Sequence, residues 1–131
     1  MENLEHKDLT DRIIRAFYRV YNTLGYGFLE KVYENALAIT LRGMGLRVEQ
    51  QIPVRVYFEG QLVGEYIADI LVEGVVLLEL KSAETIHQSH KAQLLNYLKA
   101  TRISVGLILN FGPKAEFVRQ VFTHPHPRKS A

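Results

Sequence analysis

Two apolar, β-branched runs constrain this chain more than any other feature: Tyr66-Ile67-Ala68-Asp69-Ile70-Leu71-Val72 and Val75-Val76-Leu77-Leu78-Glu79-Leu80-Lys81, separated by Glu73-Gly74. Runs of this kind around a glycine-containing break read as a hairpin of strands buried on both faces. Three charged residues, Asp69, Glu79 and Lys81, stand inside it where a core would prefer none. Side chains alternate along a strand, so Glu79 and Lys81 share one face while Leu78 and Leu80 take the other.

Whether Asp69 joins them depends on register, because a slip of one residue turns a strand's side chains to the opposite face. A two-residue turn at Glu73-Gly74 would pair Asp69 with Leu78 and send it away from Glu79. A three-residue loop, Val72-Glu73-Gly74, with Gly74 left-handed in a bulge, pairs Leu71 with Val75 and sets Asp69 opposite Leu77. Asp69 and Glu79 are then diagonal neighbours, roughly 7–8 Å apart at the backbone. The three-residue loop is the expectation adopted here. Two carboxylates so placed repel one another without a cation, and they suit a hard metal ion such as magnesium, whose oxygen ligands lie at about 2.0–2.1 Å. An isolated Glu-x-Lys on a strand is more often a solvated face or a salt bridge. The apolar residues flanking these charges argue against an open surface.

Upstream, Ile13, Phe17, Val20, Tyr21 and Leu24 recur at helical spacing, with Asp8 or Thr10 as the expected cap and Gly25 as the stop. Arg12, Arg15 and Arg19 lie off that stripe, as a solvated face or as phosphate contacts. A second helix is expected from Phe28 to Met44, with Glu30 on the same stripe as Tyr33, Leu37 and Leu41 and so facing inward. Residues 46 to 58 read as a strand in which Pro53 favours an edge. Phe58-Glu59-Gly60-Gln61 then turns the chain into Leu62 to Val72. After Lys81, a polar connection leads to a helix from Ile86 to Ala100, where His90, Gln93 and Tyr97 share a stripe and Leu94, Leu95 and Leu98 pack on the sheet. His87 and His90 are capping or surface side chains, or phosphate contacts; zinc would need a third ligand that the sequence does not offer. Ser104 to Asn110 reads as a buried strand parallel to the third, since a helix separates the two. Glu116 to Phe122 makes a last strand.

Asp69, Glu79-Leu80-Lys81, the helical Glu30 and the downstream Gln93 together resemble the PD-(D/E)XK phosphodiesterase superfamily, the restriction-endonuclease-like nucleases. Gly27-Phe28-Leu29-Glu30-Lys31-Val32-Tyr33 resembles the signature of its small GxxExxY family, and the likeness runs from about Leu9 to Phe122. Ala68 stands where the superfamily often has proline. Gln93-Leu94-Leu95-Asn96-Tyr97 resembles the Gln-x-x-x-Tyr element of RecB-type nucleases. The resemblance implies an α/β fold with a restriction-endonuclease-like core, a mixed sheet of about five strands flanked by helices in the order α-α-β-β-β-α-β-β. It implies a nuclease acting on DNA or RNA, with Mg²⁺ (or Mn²⁺ as substitute) held by Asp69, Glu79, the Leu80 carbonyl and Glu30. Lys81 and Gln93 complete the implied catalytic set, with Tyr33, His90 and Tyr97 in support. A module of the same fold that binds nucleic acid or a protein without turnover is the alternative, and a hydrolase of small phosphoesters is a third reading.

Composition sets the bounds. The chain has 131 residues, no cysteine and a formal charge of +2. One domain is expected over residues 1 to 123, with frayed residues at its start and a flexible tail from 124 to 131. The absence of cysteine excludes disulfides and thiolate-bound zinc and fits a reducing cytoplasm. No stretch approaches the roughly 20 apolar residues of a membrane span, so no membrane partner is expected. A homodimer would suit cutting two strands. The mild charge permits nucleic-acid binding through a local patch without arguing for it, and no glycine-rich phosphate loop or Gly-x-Ser-x-Gly elbow is present.

Overall fold

A computed structural model describes residues 5–125. Helices α1 (Lys7–Leu24) and α2 (Glu30–Gly43) precede strands β1 (Val48–Phe58), β2 (Gln61–Val72) and β3 (Val76–Lys81). Helix α3 (Gln88–Thr101) then leads to β4 (Val105–Phe111) and β5 (Ala115–Val121). The five strands lie in sequential order, with β3 parallel to β4 and every other pair antiparallel. This is the mixed, helix-flanked sheet that the sequence implied. Pro53 sits on the edge strand β1, where its missing N–H costs no interior ladder bond.

Each face of the sheet has its own core. Val76, Leu78 and Leu80 of β3 pack with Phe17, Tyr33, Leu37 and Leu41 of α1 and α2. Leu77, on the opposite face, packs with Leu94 and Leu98 of α3. Strand alternation therefore carries Glu79 and Lys81 onto the α3 side. Among the described residues no helix is long and apolar enough to cross a membrane.

The hairpin differs from expectation in one respect. Val72 pairs with Val76, Leu71 with Leu77 and Ile70 with Leu78. The loop has three residues, but they are Glu73, Gly74 and Val75. The expected pairing of Leu71 with Val75, and of Asp69 with Leu77, is replaced by a register that ends at Ile70 and Leu78, one residue short of Asp69 and Glu79. Val72 is fully buried and stays in the ladder, while Glu73 and Gly74 both take left-handed φ values of 55° and 69°. The loop is tied down by its Glu73 amide, which donates to the Arg47 carbonyl at 2.8 Å.

Helix starts also shift. Neither Asp8 nor Thr10 caps α1: His6 occupies the cap position without a side-chain bond, and the Thr10 hydroxyl donates to the Lys7 carbonyl at 3.0 Å. Helix α2 begins at Glu30, two residues later than expected, with Leu29 at its cap. At the far end, His124 Nε2 lies 3.2 Å from the Ile103 carbonyl and the ring packs against Phe122. The rest of the expected tail, residues 126–131, lies outside the described residues, as do residues 1–4 of the expected frayed start.

Candidate active site

Asp69 occupies a gap in the sheet. The β1–β2 ladder pairs Gln50 with Ile70 and then Ile52 with Ala68, passing over Gln51 and Asp69. Gln51 has a left-handed φ of 60°, and the alternation of β2 breaks at the same place: Ala68 and Leu71 both pack on the α3 side. On the other flank, the β2–β3 ladder ends at Ile70 and Leu78. Backbone donors freed by this opening are taken up by carboxylates. The Asp69 amide donates to Glu79 Oε2 at 3.1 Å, and the Leu80 amide donates to Asp69 Oδ2 at 2.7 Å.

Burial makes this pair electrostatically unusual. Glu79 is only 5% exposed, and Asp69 is half-buried. Desolvation, reinforced by the charge of Asp69, pushes the Glu79 carboxyl up to about 8. Desolvation also raises Asp69, opposed by the Leu80 amide and reinforced by Glu34 and Glu30. None of the ion pairs among the described residues involves Asp69, Glu79 or Lys81. Lys81 instead donates from Nζ to Gln93 Oε1 at 3.2 Å, and Gln93 Nε2 donates to the Tyr97 hydroxyl at 3.2 Å. The stripe on α3 thus reaches the sheet as one connected chain of polar groups.

A family model described as the PD-(D/E)XK nuclease superfamily matches residues 7–121. The chain belongs to the PD-(D/E)XK nuclease superfamily. Among curated proteins none matches this sequence. The crystal structure of SSO0001 is similar with a TM-score of 0.56 at 15% identity, over 90% of this chain and 61% of that one, a likeness of fold alone. This PD-(D/E)XK chain therefore spans about three fifths of the length of that protein.

Of the Gly27-x-x-Glu30-x-x-Tyr33 motif, Tyr33 faces inward as its stripe predicts and Glu30 does not. Glu30 is not on the buried stripe. As the first residue of α2 it is exposed and overhangs the end of β3, where Oε2 accepts from the Ser82 amide at 3.2 Å. Tyr33 is fully buried and stacks on Phe111 with centroids 4.2 Å apart. Its hydroxyl donates to the Gly25 carbonyl at 2.7 Å and accepts from the Phe28 amide at 3.2 Å. Tyr33 therefore closes the loop that starts α2, and with it the place where Glu30 emerges. Gly27, at φ 112°, permits that loop.

The buried acid of α2 is Glu34, one turn after Glu30 and 4% exposed. Its carboxylate accepts from Gln50 Nε2 at 2.7 Å and Gln51 Nε2 at 2.9 Å. It thereby braces the irregular stretch of β1 beside Asp69. Sequence reasoning passed over it, although its offset of one turn from Glu30, beside buried Tyr33 and Leu37, was a usable signal. Asn110 was also missed. Fully buried and paired with Lys81 in the sheet, it clamps the segment after Lys81 by accepting from the Ala83 amide at 2.9 Å and donating to the Ala83 carbonyl at 3.0 Å.

His90 serves the start of α3: its Nδ1 accepts from the His87 amide at 3.1 Å. Burial and then the charge of Lys81 lower its pKa, while Glu30 opposes them. Among the described residues no three His, Asp or Glu side chains form a ready-made metal cluster. The donor set nonetheless fits a hard cation: one buried and one half-buried carboxylate, neither in an ion pair among the described residues. Magnesium binds through one or two carboxylates and keeps several waters.

Proposed function

We propose that this chain is a divalent-metal-dependent nuclease of the GxxExxY branch, hydrolysing phosphodiester bonds of nucleic acid. The observation that carries the reading is the pairing of buried Glu79 with half-buried Asp69, with Lys81 on the face of Glu79. Burying two carboxylates against one another is costly. A structural role would be met more cheaply by apolar residues, whereas cation binding accounts for the pair directly.

In this reading Asp69, Glu79 and the Leu80 carbonyl hold Mg²⁺ or Mn²⁺, with Glu30 aligning a water or a second ion from the end of α2. When bound, the ion supplies positive charge that polarises a phosphate oxygen and acidifies water. Lys81 directs its ammonium at the phosphate and offsets the charge that develops during attack. Gln93 holds Lys81 from α3, and Tyr97 holds Gln93, so the amine is oriented before substrate arrives. His90 lies close enough to Lys81 and Glu30 to feel both charges, in keeping with a phosphate contact at the rim.

The test is incubation of purified protein with labelled single- and double-stranded DNA and RNA in Mg²⁺, Mn²⁺ or chelator, alongside Lys81→Ala. Metal-dependent cleavage that falls about a hundredfold or more in the variant supports the reading. Cleavage equal in both proteins, or persisting in chelator, would reject it.

A further inference from the structure

A groove of about 860 Å³ runs between α3 and the β1–β2 hairpin, and it reaches the site through Gln93 and Tyr97. Its chemistry is uneven. The lining carries Arg55, Lys99 and Arg102 and no acidic residue. It also carries Tyr57 and Tyr66, which are 60% and 51% exposed. The Tyr66 ring lies 5.7 Å from that of Tyr97, so the aromatic wall continues from the groove to the residue that holds Gln93.

We propose that this groove is the channel for an unpaired polynucleotide strand, with Tyr57 and Tyr66 as base-stacking surfaces and Lys99 and Arg55 as phosphate contacts. A duplex offers its base faces only at its ends, so rings standing along a groove can be used only by bases that are not paired. A groove for an acidic peptide would need the cations but not the rings. A groove for an apolar segment would need the rings but would leave Lys99 and Arg55 desolvated. Both features together match a strand whose phosphates and bases alternate along its length. Arg55 is bonded to Glu65 through Nε at 2.8 Å, which leaves its two Nη groups for a phosphate, and an exposed pair of this kind is weakly held. Asn96, on the same wall, offers both a donor and an acceptor to a base edge. Stacking tolerates any base, so the groove selects strand state over sequence. The proposal rests on the nuclease reading only for the statement that the reactive phosphate lies at the Gln93 end.

The test is binding in chelator, where cleavage is silent. Fluorescence anisotropy is read with end-labelled 12-nucleotide oligothymidylate, oligouridylate and a blunt 12-base-pair DNA duplex on the full chain. At least one single strand binds roughly tenfold or more tightly than the duplex, and the two single-strand arms tell DNA from RNA. Tyr66→Ala and Tyr57→Ala each weaken that binding about tenfold, whereas Tyr66→Phe keeps it. Lys99→Glu weakens it and flattens its salt dependence. Circular dichroism melting confirms that each variant is folded. Equal or tighter duplex binding, or folded Tyr57→Ala and Tyr66→Ala with unchanged affinity, overturns the proposal. Single-strand binding without metal-dependent cleavage would leave the groove standing and remove the nuclease reading. Cleavage indifferent to both tyrosines would do the reverse.

Discussion

Asp69 and Glu79 are bonded to each other's strands: the Asp69 amide donates to Glu79 Oε2 at 3.1 Å, and Asp69 Oδ2 accepts from Leu80, the residue after Glu79. The two carboxylates replace main-chain bonds where the sheet opens on both sides of Asp69. They are held by the backbone whether or not a cation is present, which is a form of preorganisation. Each uses one oxygen in this way.

This arrangement separates activity from stability. Asp69→Asn keeps an amide oxygen for the Leu80 amide and removes a charge that burial disfavours. It is expected to abolish Mg²⁺-dependent cleavage while leaving the metal-free melting temperature equal or higher. Loss of folding in that variant would make the pair structural.

The pH dependence follows from Glu79. Its carboxyl is raised from 4.5 to about 8 in the folded chain, so the folded state binds its proton more tightly than the unfolded state does. The resulting stability is fully present below about 4.5 and is lost as pH rises through about 8. Metal-free protein should therefore melt lower at pH 9 than at pH 6, by on the order of 5 °C, and Glu79→Gln should flatten that slope. A wild-type slope unchanged in Glu79→Gln would show that Glu79 does not titrate in this window.

Legibility from sequence divides along physical lines. Periodicity located all eight elements because alternation and helical stripes are imposed by burial: Phe17, Leu37, Leu78 and Leu94 lie where their spacing places them. That Asp69 and Glu79 come together was also readable, and their side chains bond to each other's strands. Which three residues form the loop was not, because Val72 and Val75 are chemically alike and only burial distinguishes them. Glu30 was misplaced for a related reason. A stripe shows which residues lie in line but not where the helix begins, and a start at Glu30 leaves its side chain beyond the core. The burial of Glu34 was signalled by its place beside Tyr33 and Leu37, but its partners Gln50 and Gln51, and the hold of Asn110 on Ala83, are contacts across the fold that no local pattern encodes.

Glu34 offers a test of the bracing at β1. Glu34→Ala removes the acceptor of the exposed Gln51 amide and one of two acceptors of the Gln50 amide, which keeps Asn35 Oδ1 at 3.0 Å, at a cost of about 0.5–1.5 kcal/mol per bond lost. Urea denaturation should show that loss, and cleavage should fall through displacement of Asp69. Glu34→Gln, which keeps an acceptor, should recover most of the stability. Equal stability of Glu34→Ala and wild type would contradict the bracing role.

Gly112 marks the tightest packing around the segment after Lys81. A Cβ there would stand 2.1 Å from the Ala83 carbonyl oxygen, a backbone atom that Asn110 also holds. Gly112→Ala is expected to lower the melting temperature by roughly 10 °C, measured by calorimetry. An unchanged melting temperature would mean that this segment yields freely.

The central claim is that Asp69 and Glu79 together bind a divalent cation. Titration of Mn²⁺ into wild-type protein and Glu79→Gln at pH 8, followed by electron paramagnetic resonance of the free ion, reads it directly. Wild type should take up Mn²⁺ at a saturable site that Glu79→Gln has lost. Equal uptake by the two proteins, or none by the wild type, would contradict the account.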